Sequence, residues 1–94
     1  MLYAVIFEDD PTADPEIRPR HMEAHLRFLE ENGIRDAGPL IEGGEATGGI
    51  WLLDAEGPAA VEALVKADPF WPTGLRAGVR IAHWRKVWSN GARA

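Results

Sequence analysis

Leu2-Tyr3-Ala4-Val5-Ile6-Phe7 is the stretch that decides the fold. It is rich in β-branched and aromatic residues and stops at the acidic turn Glu8-Asp9-Asp10-Pro11, so it reads as a strand. Alternation sends Leu2, Ala4 and Ile6 to one side and Tyr3, Val5 and Phe7 to the other. Both sides are apolar, which implies a strand covered on both faces.

The rest of the chain can be read outward from that strand. Asp9 to Pro15 is an acidic surface loop with two prolines, and Pro19 suits the first turn of a helix expected over 18–32, with Gly33 as its stop. At about 100° per residue, Ile17, His21, Met22, His25, Leu26, Phe28 and Leu29 share one face of that helix. Arg20, Glu23, Arg27, Glu30 and Glu31 take the other face. Ala37–Ile41 and Gly49–Leu53 read as a hairpin joined by the Gly- and Glu-rich segment 42–48. Pro58 opens a second helix with Val61, Leu64 and Val65 as its stripe, which Asp68-Pro69 breaks after Ala67. Gly78 to Trp88 is expected to close the chain as one long strand, with Val79, Ile81, His83 and Val87 alternating against Ala82, Trp84 and Trp88.

The order β-α-β-β-α-β predicts an α+β, ferredoxin-like domain: a four-stranded antiparallel sheet with two helices on one face. Two helices cover only one face of such a sheet, whereas the first strand is apolar on both and the last carries Trp84 and Trp88. The open face is therefore expected to pack on a second copy, giving a homodimeric α+β barrel.

Composition narrows the chemistry. Ninety-four residues with 46% hydrophobic content suit a single domain over 1–94. No apolar run approaches the roughly 20 residues of a membrane span, and the start lacks a basic signal-peptide stretch, so a cytoplasmic protein with no membrane partner is expected. The absence of cysteine excludes disulfides, cysteine-type zinc sites and thiol nucleophiles. A net charge of -5, with basic residues scattered apart from Arg76, Arg80, Arg85 and Lys86, argues against nucleic acid as a partner. Gly43-Gly44 and Gly48-Gly49 form no phosphate-binding loop, and the lone Ser89 has no nucleophile-elbow setting.

Each candidate functional residue has a plainer alternative. His21, at the edge of the buried helix face, suits a general base, or it simply completes that face with one hydrogen bond. His25 follows one turn later, but a His-x-x-x-His pair without a third ligand does not make a metal site, and no metal or other cofactor is expected. Asp68 would orient a histidine, or cap its own turn. Arg18 offers a planar fork for a carboxylate, or is a solvated residue ahead of the helix. His83, Trp51, Trp84 and Trp88 fit core or interface packing, which leaves Trp71 as the aromatic residue for a pocket wall.

Together, Leu2-Tyr3-Ala4-Val5-Ile6, Arg18-Pro19-Arg20-His21, Ala37-Gly38-Pro39-Leu40, Gly49 at the start of a strand and Ala67-Asp68-Pro69-Phe70 resemble the YCII-related family over nearly the whole chain. The resemblance implies a dimeric α+β barrel whose His-Asp pair falls on His21 and Asp68, with Arg18 as the anchor for an anionic group. His25 departs from the pattern, standing where related sequences usually carry an apolar or aromatic residue. The turn after the first helix is also shifted by about one residue. Relatives include a dehydrochlorinase of a hydroxylated aromatic and, at the level of fold, muconolactone isomerases. The implied function is cofactor-free proton transfer, isomerisation or elimination, on a small cyclic or aromatic anionic metabolite. His21 would abstract the proton and Asp68 would stabilise the imidazolium. The alternatives are a non-catalytic barrel that binds a small ligand or supports a partner, and a heme- or metal-dependent barrel with His21, His25 or His83 as ligand.

Overall fold

The computed structural model describes residues 1–94. The elements are β1 (Leu2–Asp9), α1 (Ile17–Glu31), β2 (Asp36–Glu42), β3 (Glu45–Asp54), α2 (Pro58–Ala67), a 3₁₀ turn (Trp71–Thr73), β4 (Arg76–His83), β5 (Trp88–Ser89) and β6 (Ala92–Arg93). The first four strands form an antiparallel sheet in the order β2-β3-β1-β4, which is the expected ferredoxin-like α+β arrangement. No helix is long and apolar enough to cross a membrane.

The apolar first strand lies between two partners, β3 and β4. Tyr3, Val5 and Phe7 point to the helix side, where they form one buried cluster with Trp51 and Leu53 of β3 and Val61 and Val65 of α2. Phe28 and Leu29 of α1 pack against the same cluster, so both helices cover one face. Phe7 meets the Trp51 ring edge-on at 5.0 Å. The opposite face carries Ala4, Ile6, Ile50 and Leu52, which are only half-buried because no element of the chain lies over them.

Two expectations about the strands need correction. The loop expected over 42–48 shrinks to Gly43 and Gly44, whose φ values of 58° and 82° make a tight two-residue turn and let β3 start at Glu45. The long final strand stops at His83, because β1 has no more backbone to offer. Tyr3 pairs with His83, and the Leu2 carbonyl accepts the Trp84 N–H as the last bond of the ladder. The chain beyond turns away into a separate hairpin, β5-β6, around Asn90-Gly91, both at positive φ. Trp84 and Trp88 are exposed there and take no part in the core.

Gly48 is fixed by contact. A Cβ at this position would lie 2.1 Å from the Phe7 carbonyl oxygen, so no side chain fits between β3 and β1. Gly48→Ala is expected to cost about 2 kcal/mol or more by overpacking, read as a lower urea midpoint. Gly38→Ala, on β2 with open space around the new Cβ, should leave that midpoint nearly unchanged.

Candidate active site

The period-2 alternation of β1 does not end at Phe7. It carries on to Asp9, which faces the core and is buried. A register shift between Glu8 and Asp9 sets Asp9 opposite Arg76, the first residue of β4. Arg76 Nη1 donates to Asp9 Oδ1 at 2.7 Å and Arg18 Nη1, from the first turn of α1, donates to Asp9 Oδ2 at 2.8 Å. Arg18 Nη2 also donates to the Gly48 carbonyl at 3.3 Å. One carboxylate thus joins the ends of three elements.

The Arg76 guanidinium lies over the Phe7 ring at 4.4 Å and near that of Phe70 at 5.3 Å. Burial pulls its pKa below the usual arginine range, while the hydrogen bond and negative charge of Asp9 act in the opposite direction.

The second polar contact is between α1 and the end of α2. His25 is 7% exposed and Asp68 2%. The His25 Nδ1–H donates to Asp68 Oδ1 at 2.9 Å, and the same oxygen accepts the Phe70 N–H at 3.1 Å. A carboxylate can only accept, so in the neutral imidazole this contact fixes the proton on Nδ1 and leaves the lone pair on Nε2. The Phe70 ring covers the imidazole at 4.3 Å between centroids, 31° from parallel.

A cavity of about 140 Å³ lies between α1 and the sheet, bounded by Arg18, Met22, His25 and Leu29 on the helix side and by Pro39, Trp51, Phe70 and Arg76 opposite. His25 Nε2 bonds to nothing in the protein and is not sealed off, and His25 lines this cavity. The arrangement places an imidazole and the Arg18 guanidinium on the helix wall and the Arg76 guanidinium opposite, with a largely apolar interior between them. No three His, Asp or Glu side chains converge as a metal site would need.

The structure brings together some of the residues expected from sequence. Asp68 and Arg18 are at the site, but the histidine that meets Asp68 is His25, not His21. His21 sits one turn earlier, half-buried, and does not line the cavity. The physical reason is helix rotation. His25 shares the centre of the buried stripe with Phe28 and Leu29, which places it opposite the end of α2. Trp71 also misses the cavity: it begins the 3₁₀ turn and packs against the core, while the preceding Phe70 provides the aromatic wall. His83 is exposed and lies 5.7 Å from the Tyr3 ring. Sequence reasoning missed Asp9 and Arg76. The β1 alternation contained the signal for Asp9; the register shift that recruits Arg76 left none.

A family model described as the YCII-related domain matches residues 1–85. The chain belongs to the YCII-related family. Among solved structures, it is similar to 5-chloro-2-hydroxyhydroquinone dehydrochlorinase (TftG) from Burkholderia phenoliruptrix AC1100, in complex with 2,5-dihydroxybenzoquinone. The identity is 29% and the TM-score 0.81, over 90% of this chain and 94% of that one. An uncharacterized NIPSNAP domain protein from Burkholderia xenovorans shares the fold alone, at 13% identity and a TM-score of 0.50 over 87% of this chain and 90% of that one. No curated protein matches the chain.

In this YCII-related chain Asp9 is the shared partner of two guanidinium groups, so its loss leaves buried charge unpaired. Asp9→Asn is expected to destabilise the fold by about 3 kcal/mol, measured by urea denaturation. Glu23→Gln breaks only the exposed pair with Arg27 and should change stability by less than about 0.5 kcal/mol.

Proposed function

We propose that the protein is a cofactor-free enzyme that moves a proton on a small hydroxylated ring compound, with isomerisation or elimination as the outcome. The observation that carries this reading is the buried His25-Asp68 contact, which leaves the second imidazole nitrogen unpartnered on a residue that lines a ring-sized cavity. An apolar cavity of about 150 Å³ holds one benzene ring, close to the volume found here. The similarity to a dehydrochlorinase in complex with 2,5-dihydroxybenzoquinone supports the same class of ligand.

In this mechanism His25 Nε2 takes a proton from a ring hydroxyl or an adjacent carbon. The electron pair moves into the ring and either expels a leaving group or accepts the proton back at another position. Asp68 keeps the Nδ1–H bond throughout and offsets the positive charge that appears on the imidazole. Asp68 is thus a positioning residue for His25, and His21 has no direct part.

We also propose that the working form is a homodimer in which the open sheet face of one copy packs on that of another. Its support is the apolar character of Ala4, Ile6, Ile50 and Leu52 on a face that the helices leave bare. Sedimentation equilibrium is expected to give twice the 10.3 kDa chain mass. Ile6→Asp should return a monomer, and a wild-type monomer at micromolar concentration would contradict the dimer.

The catalytic reading is tested by chloride release from 5-chloro-2-hydroxyhydroquinone, together with deuterium uptake from solvent into hydroxylated ring probes. His25→Ala should lower either rate by about 10²- to 10⁴-fold, and Asp68→Asn should lower it as well. His21→Ala should stay within about 3-fold of wild type. Ring binding by the wild type with no turnover or exchange would favour a non-catalytic binding barrel instead.

A further inference from the structure

Arg76 is the least satisfied charged group in the molecule. Its side chain is 4% exposed, yet only Nη1 of its three nitrogens has an acceptor, Asp9. Nε is sealed from solvent with no partner. Nη2 also bonds to nothing in the protein, but it is not sealed, and Arg76 lines the cavity alongside His25. A buried guanidinium with free N–H groups facing a cavity is complementary to an anionic oxygen. Asp9 is shared between Arg18 and Arg76, and the other carboxylate whose charge reaches Arg76, Asp68, is engaged by His25 and the Phe70 N–H and makes no hydrogen bond to the guanidinium. Arg18 is the poorer donor, since both of its Nη atoms already have acceptors.

We infer that Arg76 binds the ionised oxygen of a single-ring phenol or enol in the cavity. The inference rests on the reading that a ring occupies that space, and it identifies the substrate as the oxyanion form. The His25 imidazole and the Arg76 guanidinium both rest near Phe70, at 4.3 Å and 5.3 Å from its ring centroid, so one ring can meet both. Arg76 then holds the charge that develops on oxygen as His25 removes a proton. Asp9 is its positioning residue. Gly49 provides the room, because a Cβ there would come within 3.4 Å of both Nη atoms of Arg76.

The test uses two ring probes that differ only in the phenolic oxygen, 4-nitrophenol and nitrobenzene. Absorbance follows ionisation of 4-nitrophenol bound to the wild-type protein. The bound phenol should ionise at lower pH than the free one, and this readout needs no variant to fold. Arg76→Met should abolish the shift and weaken nitrophenolate binding by about 10- to 100-fold, while nitrobenzene affinity stays within about 3-fold. Arg76→Lys, which keeps the charge and loses the planar fork, should recover part of the loss. Bound 4-nitrophenol that ionises at the same pH as the free phenol or higher would overturn the inference, as would an equal loss of both probes in Arg76→Met. If the wild type binds neither probe, the ring-pocket reading itself fails. If both bind without dependence on Arg76, only the assignment to Arg76 fails.

Discussion

Asp9 is the constraint on which the architecture of the site depends. It closes β1, and through its two oxygens it holds Arg18 at the start of α1 and Arg76 at the start of β4. Arg18 extends the tie to the backbone of β3 at Gly48. Elements distant in sequence are thereby fixed around one end of a single cavity. A buried ion pair of this kind is not an efficient source of stability, because desolvation offsets much of the Coulomb gain. Its effect is positional: it holds a guanidinium in an apolar surround, stacked on Phe7 and next to Phe70.

The His25-Asp68 contact sets the other pole. Asp68 ends α2 in an extended conformation, and its Oδ1 accepts both the Phe70 N–H and the His25 Nδ1–H. The turn that stops α2 therefore also selects the tautomer of a histidine on α1. Phe70 follows two residues later and packs on the imidazole, which restricts the ring to its place in the cavity wall. Base and cation share this aromatic neighbour, so the chemistry proposed for the site requires no moving part. The bare sheet face lies on the other side of the sheet from the helices, so the proposed dimer would leave the cavity between α1 and the sheet intact.

Most of the fold could be read from residue patterns. Proline and Asp-Pro signals bounded α2 at Pro58–Ala67, and the apolar periodicity found α1 to within a residue at each end. The final strand was misread because alternation continues past His83 while the supply of partner backbone does not. Local pattern reports the preference of a segment, and pairing depends on the neighbour. The site was legible in part for the same reason. His21 and His25 lie about 40° apart on a helical wheel, so both fall on the buried stripe, and only the height and rotation of α1 against α2 decide which one reaches Asp68. Arg76 has the parity of the open face, and it is the register shift beside Asp9 that turns it toward the helices.

In the proposed mechanism Asp68 fixes the proton of neutral His25 on Nδ1 and frees Nε2 as the base. Imidazole ¹⁵N chemical shifts of the neutral protein report this directly. His25 is expected to be the Nδ1–H tautomer in wild type and to lose that preference in Asp68→Asn. A neutral His25 found as the Nε2–H tautomer in wild type would contradict it, since the nitrogen facing the cavity would then hold a proton instead of accepting one.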